Sequence, residues 1–165
     1  MKTSCFISTA AIVLLAAATT FAQQTDKDIK LAPNVPVDKP VHVGAEQKQS
    51  IEEAIKPYVE KARKTYPDAK ARYLKGLPPK NIFFITTRLH DKEGRFEQVF
   101  IAVKEIKDGV IKGVIASDVD LLTKYKQGDD YSFPESDLID WTISKPDGTE
   151  EGNFVGKFLD NYQPQ

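Results

Sequence analysis

The fold is decided by residues 82–116, IFFITTRLHDKEGRFEQVFIAVKEIKDGVIKGVIA. Three segments of this stretch are rich in β-branched and aromatic residues and follow a two-residue period, which predicts three consecutive strands. The strands are Ile82–Leu89, Phe96–Ile106 and Val110–Ala116. Between them, Asp91–Gly94 fits a short hairpin loop, and Asp108-Gly109 fits a tight primed turn. The stretch therefore predicts an antiparallel meander.

The second of these strands carries apolar side chains on both faces. Val99, Ile101 and Val103 alternate along the strand with Phe100 and Ala102. A strand that is apolar on both faces is typical of the interior of a sheet rather than its edge. We therefore expect a central strand here.

After the meander, the sequence signals for secondary structure are weaker. A short strand is predicted at Tyr131–Phe133, before Pro134. Residues 135–143 are predicted to begin as a helical turn capped by Ser136 or Asp137 and to continue as a strand at Trp141–Ile143. After a turn at Asp147-Gly148, the last apolar segment is Phe154–Leu159.

An amphipathic helix precedes the sheet. Apolar residues recur at the i, i+3, i+4, i+7 spacing from about Ala45 to Thr65. A capping-box pattern at Ser50 offers an alternative start for this helix. Pro57 lies inside the helix in either case and predicts a bend, and Pro67 is expected to end it.

The N-terminus has the pattern of a cleaved export signal. Lys2 supplies a positive charge, residues 10–18 form an apolar core, and small residues precede a cleavage point after Ala22. The core is much shorter than the roughly 20 apolar residues that a membrane-spanning helix needs. We expect removal of residues 1–22 and a periplasmic or secreted mature chain without stable membrane insertion.

The mature chain is expected to consist of a tether and one domain. Residues 23–44 hold three prolines among polar residues without a helical period, which indicates an extended tether. Residues 45–165 form a single α+β domain, in which the N-terminal amphipathic helix packs on an antiparallel sheet of about five strands. The one cysteine, Cys5, leaves with the signal, which excludes disulfides, thiolate catalysis and cysteine-ligated zinc.

An acidic segment lies near the C-terminal end, at residues 129–151. It contains one base, Lys145, and has a local charge of −7. Clustered carboxylates suit hard cations such as Ca²⁺, so an acidic cation-binding loop is one hypothesis. The spacing differs from that of an EF-hand loop, and Asp in turns also bonds the local backbone, so we assign no metal ligand and no cofactor. The acids are Asp129, Asp130, Glu135, Asp137, Asp140, Asp147, Glu150 and Glu151.

Asp140 has two competing interpretations. A carboxyl partly buried beside Trp141 would have a raised pKa and could act as a general acid or base, as in a hydrolase that uses Asp140 with a second carboxylate. Alternatively, Asp140 accepts backbone N–H groups at a turn while Trp141 fills the core. We place a candidate ligand or partner surface at Glu97, Asp137, Asp140 and Trp141.

A basic segment, residues 56–80, has a local charge of +6. Its candidate anion patch consists of Lys61, Lys64, Lys70 and Arg72. The alternative is that these side chains are only the solvated face of a helix. Nucleic acid is not an expected partner of an exported chain with a pI of about 6.1.

The sequence contains none of the G-x-S-x-G, H-E-x-x-H or S-x-x-K motifs and no phosphate-binding glycine loop. His90 is the one histidine after the tether and follows a predicted strand, beside a hairpin turn. We therefore expect a small non-enzymatic binding or interaction domain of the cell envelope, with an envelope protein or a small ligand as partner. The alternatives are the Asp140 hydrolase and the cation-binding domain.

Several short motifs follow one another in a recognisable order along the chain. They are Phe83-Phe84, Glu97, Gly113, Lys126–Asp129, Leu138–Trp141 and Gly152–Phe154. This order resembles a bacterial family, domain of unknown function 2314, also called YegJ-like, over about residues 68–160. The resemblance implies a small α+β domain but, because the family is uncharacterised, it does not imply a particular activity. One departure is Gln98-Val99-Phe100, where a tryptophan-bearing version is expected.

Overall fold

A computed structural model describes residues 45–162, with side chains from Gln49 onward. The expected signal, 1–22, and tether, 23–44, lie outside these residues. The chain has the α+β architecture that the sequence predicts. In order, the elements are α1 (Ala45–Lys75), β1 (Ile82–His90), β2 (Phe96–Lys107), β3 (Val110–Ile115), β4 (Asp130–Pro134), a 3-10 turn (Glu135–Asp137), β5 (Asp140–Ser144), β6 (Glu150–Gly152) and α2 (Phe154–Leu159).

Helix α1 is longer than the sequence predicts. It begins at Ala45, so the alternative start at Ser50 is wrong, and it continues past Pro67. A proline inside a helix costs about 3 kcal/mol through a lost hydrogen bond and a steric clash. Burial of Tyr66 and Ala69 in the core on either side of Pro67 offsets this cost. Gly76, with φ 102°, follows the helix as expected for a C-terminal glycine.

The strands form one antiparallel sheet in the order β4-β3-β2-β1-β5-β6. The central position of β2 is confirmed, and so is the primed turn between β2 and β3, since both Asp108 and Gly109 have positive φ. The sheet has six strands rather than about five. The extra strand, β6, was missed because its residues, Glu150–Gly152, carry no apolar signal.

Two details near the C-terminal end differ from expectation. Ser136 and Asp137 lie inside the 3-10 turn, whose N-cap is Pro134 with no side-chain cap hydrogen bond, so neither residue caps it. The apolar segment Phe154–Leu159, which had no assigned structure, is helix α2. Within residues 45–162, no helix has both the length and the apolarity required to span a bilayer.

The sheet has two faces with different surroundings. On the helix face, Ala62, Tyr66 and Ala69 of α1 share a core with Phe83 and Ile85 of β1. Helix α2 joins the N-terminal part of α1 in a smaller cluster through Val155. The opposite side, called here the second face, carries a separate buried cluster. Its members are Ile82, Phe84, Phe100, Ala102, Val114 and Ala116.

Candidate functional site

The Asp140 carboxylate is held by backbone amides. One oxygen, Oδ1, accepts the N–H of Trp141 at 2.7 Å, and Oδ2 accepts the N–H of Val155 at 2.6 Å. Val155 lies in the first turn of α2, where backbone N–H groups have no partner within the helix. Asn153, the N-cap residue, makes no side-chain cap hydrogen bond. Asp140 therefore supplies from a strand the acceptor that a cap residue would normally provide.

The surroundings of Asp140 disfavour its charged form. The residue has no exposed surface, and burial raises its pKa from 3.8 to about 7. The backbone N–H groups of Val155, Trp141 and Phe154, together with the charge of Lys157, act in the opposite direction. A carboxyl with this pKa has the proton affinity of a general acid or base, but it offers no accessible oxygen to a substrate.

Trp141 lies inside the helix-face core and is 4% exposed. Its ring meets that of Phe154 edge-on at 5.9 Å, and the indole N–H donates to the Thr65 hydroxyl of α1 at 3.0 Å. Thr65 Oγ1 in turn donates to the carbonyl of Lys61 at 2.9 Å. The ring is thus fixed on its polar and apolar sides, as expected for a buried tryptophan whose N–H finds a partner.

The segment after β6 passes close over Trp141. Gly152 has φ 75°, and a Cβ placed there would lie 2.1 Å from the Trp141 carbonyl oxygen. Asn153 follows with φ 52° and donates its N–H to the same oxygen at 2.8 Å. We call Asp140, Trp141, Gly152, Asn153 and Val155 the α2 junction, because together they fix α2 to the sheet.

Glu97 holds the loop that follows β3, in a different part of the chain. Its carboxylate accepts the backbone N–H groups of Asp120, Leu121 and Leu122 at 2.8 to 3.2 Å. Glu97 pairs with Leu89 in the sheet, on the opposite side of β1 from Asp140. Glu97 and Asp140 therefore anchor separate segments instead of sharing one site.

Asp137 also makes local contacts. Its carbonyl accepts the Thr87 hydroxyl at 3.0 Å, and its carboxylate accepts the Ser136 hydroxyl at 3.1 Å. The four residues of the candidate partner surface therefore do not form one site. Asp140 and Trp141 are buried at the α2 junction. Glu97 and Asp137 instead bond neighbouring loops and turns.

The basic and acidic segments meet each other in the fold. Lys70 pairs with Glu135 at 2.7 Å, and Arg72 pairs with Glu151 at 2.6 Å. Lys61 lies over the Phe154 ring at 4.6 Å. Among the four candidate anion-patch residues, Lys64 alone has no interaction partner within the described part of the chain. Two side chains of the basic segment are therefore paired with acids of residues 129–151.

The other acids of residues 129–151 bond nearby groups. Asp130 pairs with Lys104, Asp147 accepts from Thr149, and Glu150 accepts the Asn153 amide. Asp129 accepts the backbone N–H of Lys126 at 3.1 Å. Side chains from Gln49 to Tyr162 include no group of three or more His, Cys, Asp or Glu that could hold a metal ion.

A cleft lies at the end of the sheet where α1 finishes. It has a volume of about 840 Å³ and lies between the α1 C-terminus with the following loop and the turn after β5. The pairing of Ile82 with Ser144 brings these two chain segments together. Sequence reasoning missed this cleft, because only the strand register shows that the two turns are neighbours. Its lining includes Arg72, Lys75, Leu77, Pro78, Lys145 and Pro146.

Three comparisons place the chain among known proteins. The family model described as "uncharacterized protein conserved in bacteria", domain of unknown function 2314, matches residues 48–162, which is more than half of the chain. The match takes in most of α1, which the resemblance in the sequence did not cover. Searches of curated proteins and of solved structures found no match. The chain therefore belongs to the bacterial family of domain of unknown function 2314.

Proposed function

We propose that this protein is an exported, non-enzymatic binding domain of the bacterial cell envelope. Its ligand, an envelope protein segment or a small molecule, binds in the cleft between the end of α1 and the turn after β5. The observation that supports this proposal most directly is the lining of the cleft, which combines cationic side chains with apolar walls. Mostly apolar concavities with a few placed polar groups are the usual form of ligand sites.

The charges of the cleft favour an anionic ligand. Glu151 is bound by both Arg72 and Lys145, and these two partners lower its pKa. The Asp147 carboxylate accepts hydrogen bonds from the backbone N–H and the hydroxyl of Thr149. Lys75, also in the lining, is exposed and has no ion pair within the described residues. A carboxylate or phosphate would therefore find one uncompensated ammonium and two cations shared with Glu151.

The apolar part of the lining adds selectivity. Leu77, Pro78 and Pro146 contribute surfaces with no hydrogen-bond donor in their side chains. Leu74, which precedes the lining residue Lys75 in the last turn of α1 but is not itself in the lining, is 47% exposed. A ligand that carries an acidic group beside an apolar one satisfies both sets of side chains.

A hydrolase based on Asp140 has weaker support. Both oxygens of this carboxyl bond backbone amides, and the residue has no exposed surface. A general acid or base must come within hydrogen-bond reach of its substrate. Its interactions instead suit a structural role at the α2 junction.

Export is supported by the arrangement of residues 1–22 and by the lack of cysteine after them. We expect the protein purified from the bacterial envelope fraction to begin at Gln23. Intact-mass measurement of that protein tests the cleavage site, and a chain that retains Met1 would contradict it.

Binding in the cleft is tested by Lys75→Glu in the mature chain. We expect this variant to lose capture of the partner from an envelope extract, because it reverses the one uncompensated charge of the lining. Lys64→Glu is the matched control, since Lys64 is an exposed lysine on the same helix without an ion pair among the described residues, and it lies outside the cleft. Equal capture by both variants and the wild type would reject the cleft as the binding site.

A further inference from the structure

The cleft at the end of α1 already contains a carboxylate of the protein itself. One Glu151 oxygen, Oε2, accepts a hydrogen bond from Nη1 of Arg72 at 2.6 Å, and the other, Oε1, lies 3.0 Å from Nζ of Lys145. All three side chains belong to the lining of the cleft. We call the space between the two cations, which the Glu151 carboxylate fills, the anion position.

Three elements of the fold fix the anion position. Arg72 lies in the last turn of α1. Glu151 on β6 pairs with Ile143 of β5, and Lys145 follows two residues after Ile143, where its N–H donates to the carbonyl of Thr149 at 2.9 Å. Lys145 and Glu151 are therefore diagonal neighbours on one face of the sheet, a separation that long side chains can bridge. The strand register thus brings both cations to the same carboxylate.

Glu151 is held at the anion position by exposed contacts. Its side chain is 36% exposed, and those of Arg72 and Lys145 are 48% and 34% exposed. Ion pairs with this exposure contribute little to stability, because water solvates the separated charges almost as well. The Glu151 carboxylate can therefore leave for solvent at small cost, unlike the buried carboxylate of Asp140.

We propose that Glu151 is an internal competitor for the anion position, and that the group which displaces it is the carboxylate of a ligand. This inference rests on the proposed binding function of the cleft and names the chemical class of its ligand. Displacement transfers the Glu151 carboxylate to water and joins the ligand to the same two cations. A ligand must therefore bind against the competition of the protein's own side chain.

The contacts of Glu151 indicate why the ligand group is a carboxylate. The two oxygens of Glu151 bind two separate cations, and a ligand carboxylate has the same pair of oxygens at the same spacing. Leu77, Pro78 and Pro146 line the same cleft, so the carboxylate is joined directly to an apolar group. An acyl chain and the C-terminal residue of a peptide both carry this combination.

An alternative role for Glu151 is to hold Arg72 and Lys145 in position while the ligand binds beside it. The two roles predict opposite effects, since removal of a competitor strengthens ligand binding and removal of a positioning group weakens it. Loss of one negative charge from the cleft also strengthens anion binding by itself. A variant that keeps the charge but shortens the side chain separates this charge effect from competition.

The test compares probe binding by wild type, Glu151→Gln and Glu151→Asp in the chain from Gln23 onward. Hexanoate represents an acyl chain, N-acetylleucine represents a peptide C-terminus, and inorganic phosphate is the competing anion. Binding is followed through the backbone amide resonances of residues 75–77 and 147 in the cleft. We expect Glu151→Gln to bind the carboxylates about fivefold more tightly than the wild type does. Glu151→Asp, one methylene shorter, cannot reach both cations and should also bind them more tightly.

Glu150→Gln is the matched control, because Glu150 is the adjacent carboxylate on β6 and lies outside the lining of the cleft. It should bind the probes as the wild type does. The carboxylate that binds more tightly assigns the ligand to an acyl chain or to a peptide C-terminus.

Wild-type affinity in Glu151→Asp, or unchanged or weaker binding by Glu151→Gln, would overturn the competitor role while leaving binding in the cleft intact. Tighter binding of phosphate than of either carboxylate would overturn the ligand class. Cleft resonances that shift with neither carboxylate would also overturn the inference. The proposed function is then tested independently by partner capture with Lys75→Glu.

Discussion

The Asp140 carboxylate on strand β5 accepts the N–H of Val155 in helix α2 at 2.6 Å. This hydrogen bond joins the start of strand β5 to the first turn of helix α2, two elements that are separated in the chain by β6 and its flanking turns. Asp140-Trp141 and Gly152-Asn153-Phe154, which carry much of the family resemblance, form one packed unit in which the strand supplies both an acceptor and a ring. The contacts of these residues join α2 to the sheet.

The α2 junction predicts a pH-dependent stability. Burial raises the pKa of Asp140 from 3.8 to about 7, so the folded protein binds this proton more tightly than the unfolded chain does. The stabilisation from this proton is fully present below about pH 3.8 and is lost as the pH rises through 7. We expect the free energy of unfolding of the wild type to fall, relative to Asp140→Asn, between pH 5 and pH 8.

The size of this change is on the order of a few kcal/mol, since each pKa unit corresponds to about 1.4 kcal/mol. At pH 5 the Asp140 carboxyl is protonated and resembles the Asn amide in shape and charge, so the two proteins are expected to differ in stability by about 1 kcal/mol or less. Urea unfolding followed by the fluorescence of Trp141, the sole tryptophan, measures both quantities. The other carboxyl groups are common to both proteins and cancel in the difference. Parallel pH profiles would show that Asp140 does not titrate in this range.

Close packing against Trp141 makes Gly152 hard to replace. Gly152→Ala combines a positive φ of 75° with a contact of 2.1 Å between the new Cβ and the Trp141 carbonyl oxygen. We expect a loss of about 2 to 4 kcal/mol, from backbone strain together with the displacement of packed atoms. Gly148→Ala has a similar φ of 81° but nothing within 4 Å, and should cost about 1 kcal/mol. Comparable urea midpoints for the two variants would contradict the close approach.

Local sequence patterns were sufficient for five of the six strands but not for β6, the helix boundaries or the site. The two-residue period and the Asp108-Gly109 turn depend on neighbours in sequence, and both are confirmed. Continuation of α1 through Pro67 depends on burial against the sheet, which no local rule contains. The pairing of the basic with the acidic segment, as between Arg72 and Glu151, depends on contacts between residues far apart in the chain.

Glu97 is expected to control the order of the loop that follows β3. The N–H groups of Leu121 and Leu122 share one oxygen of the Glu97 carboxylate. Glu97→Gln removes the negative charge and replaces one of the two carboxylate oxygens with an NH2 group, which cannot accept a hydrogen bond. We expect faster hydrogen exchange at residues 120–122 and a stability loss of about 1 to 2 kcal/mol. Glu93→Gln is the control, because Glu93 is 68% exposed and lies 3.9 Å from Arg95. Unchanged exchange at residues 120–122 would show that Glu97 does not hold this loop.

The contact between the basic and acidic segments is expected to contribute measurable coupling through Lys70 and Glu135. Their side chains are 31% and 18% exposed, and the same carboxylate accepts the Tyr66 hydroxyl at 2.9 Å. A partly buried pair with a third partner is screened less by solvent than an exposed pair.

A double-mutant cycle with Lys70→Ala and Glu135→Ala should give a coupling energy of about 1 kcal/mol. The matched control is the cycle for Lys56 and Glu53, a pair with side chains 62% and 65% exposed on the same helix, for which we expect about 0.5 kcal/mol or less. Raising the salt concentration to about 1 M should remove the control coupling and leave much of the Lys70–Glu135 coupling. Equal coupling energies and equal salt dependence for the two pairs would contradict this prediction. The Lys70–Glu135 pair would then contribute no more to the stability of the fold than an exposed ion pair does.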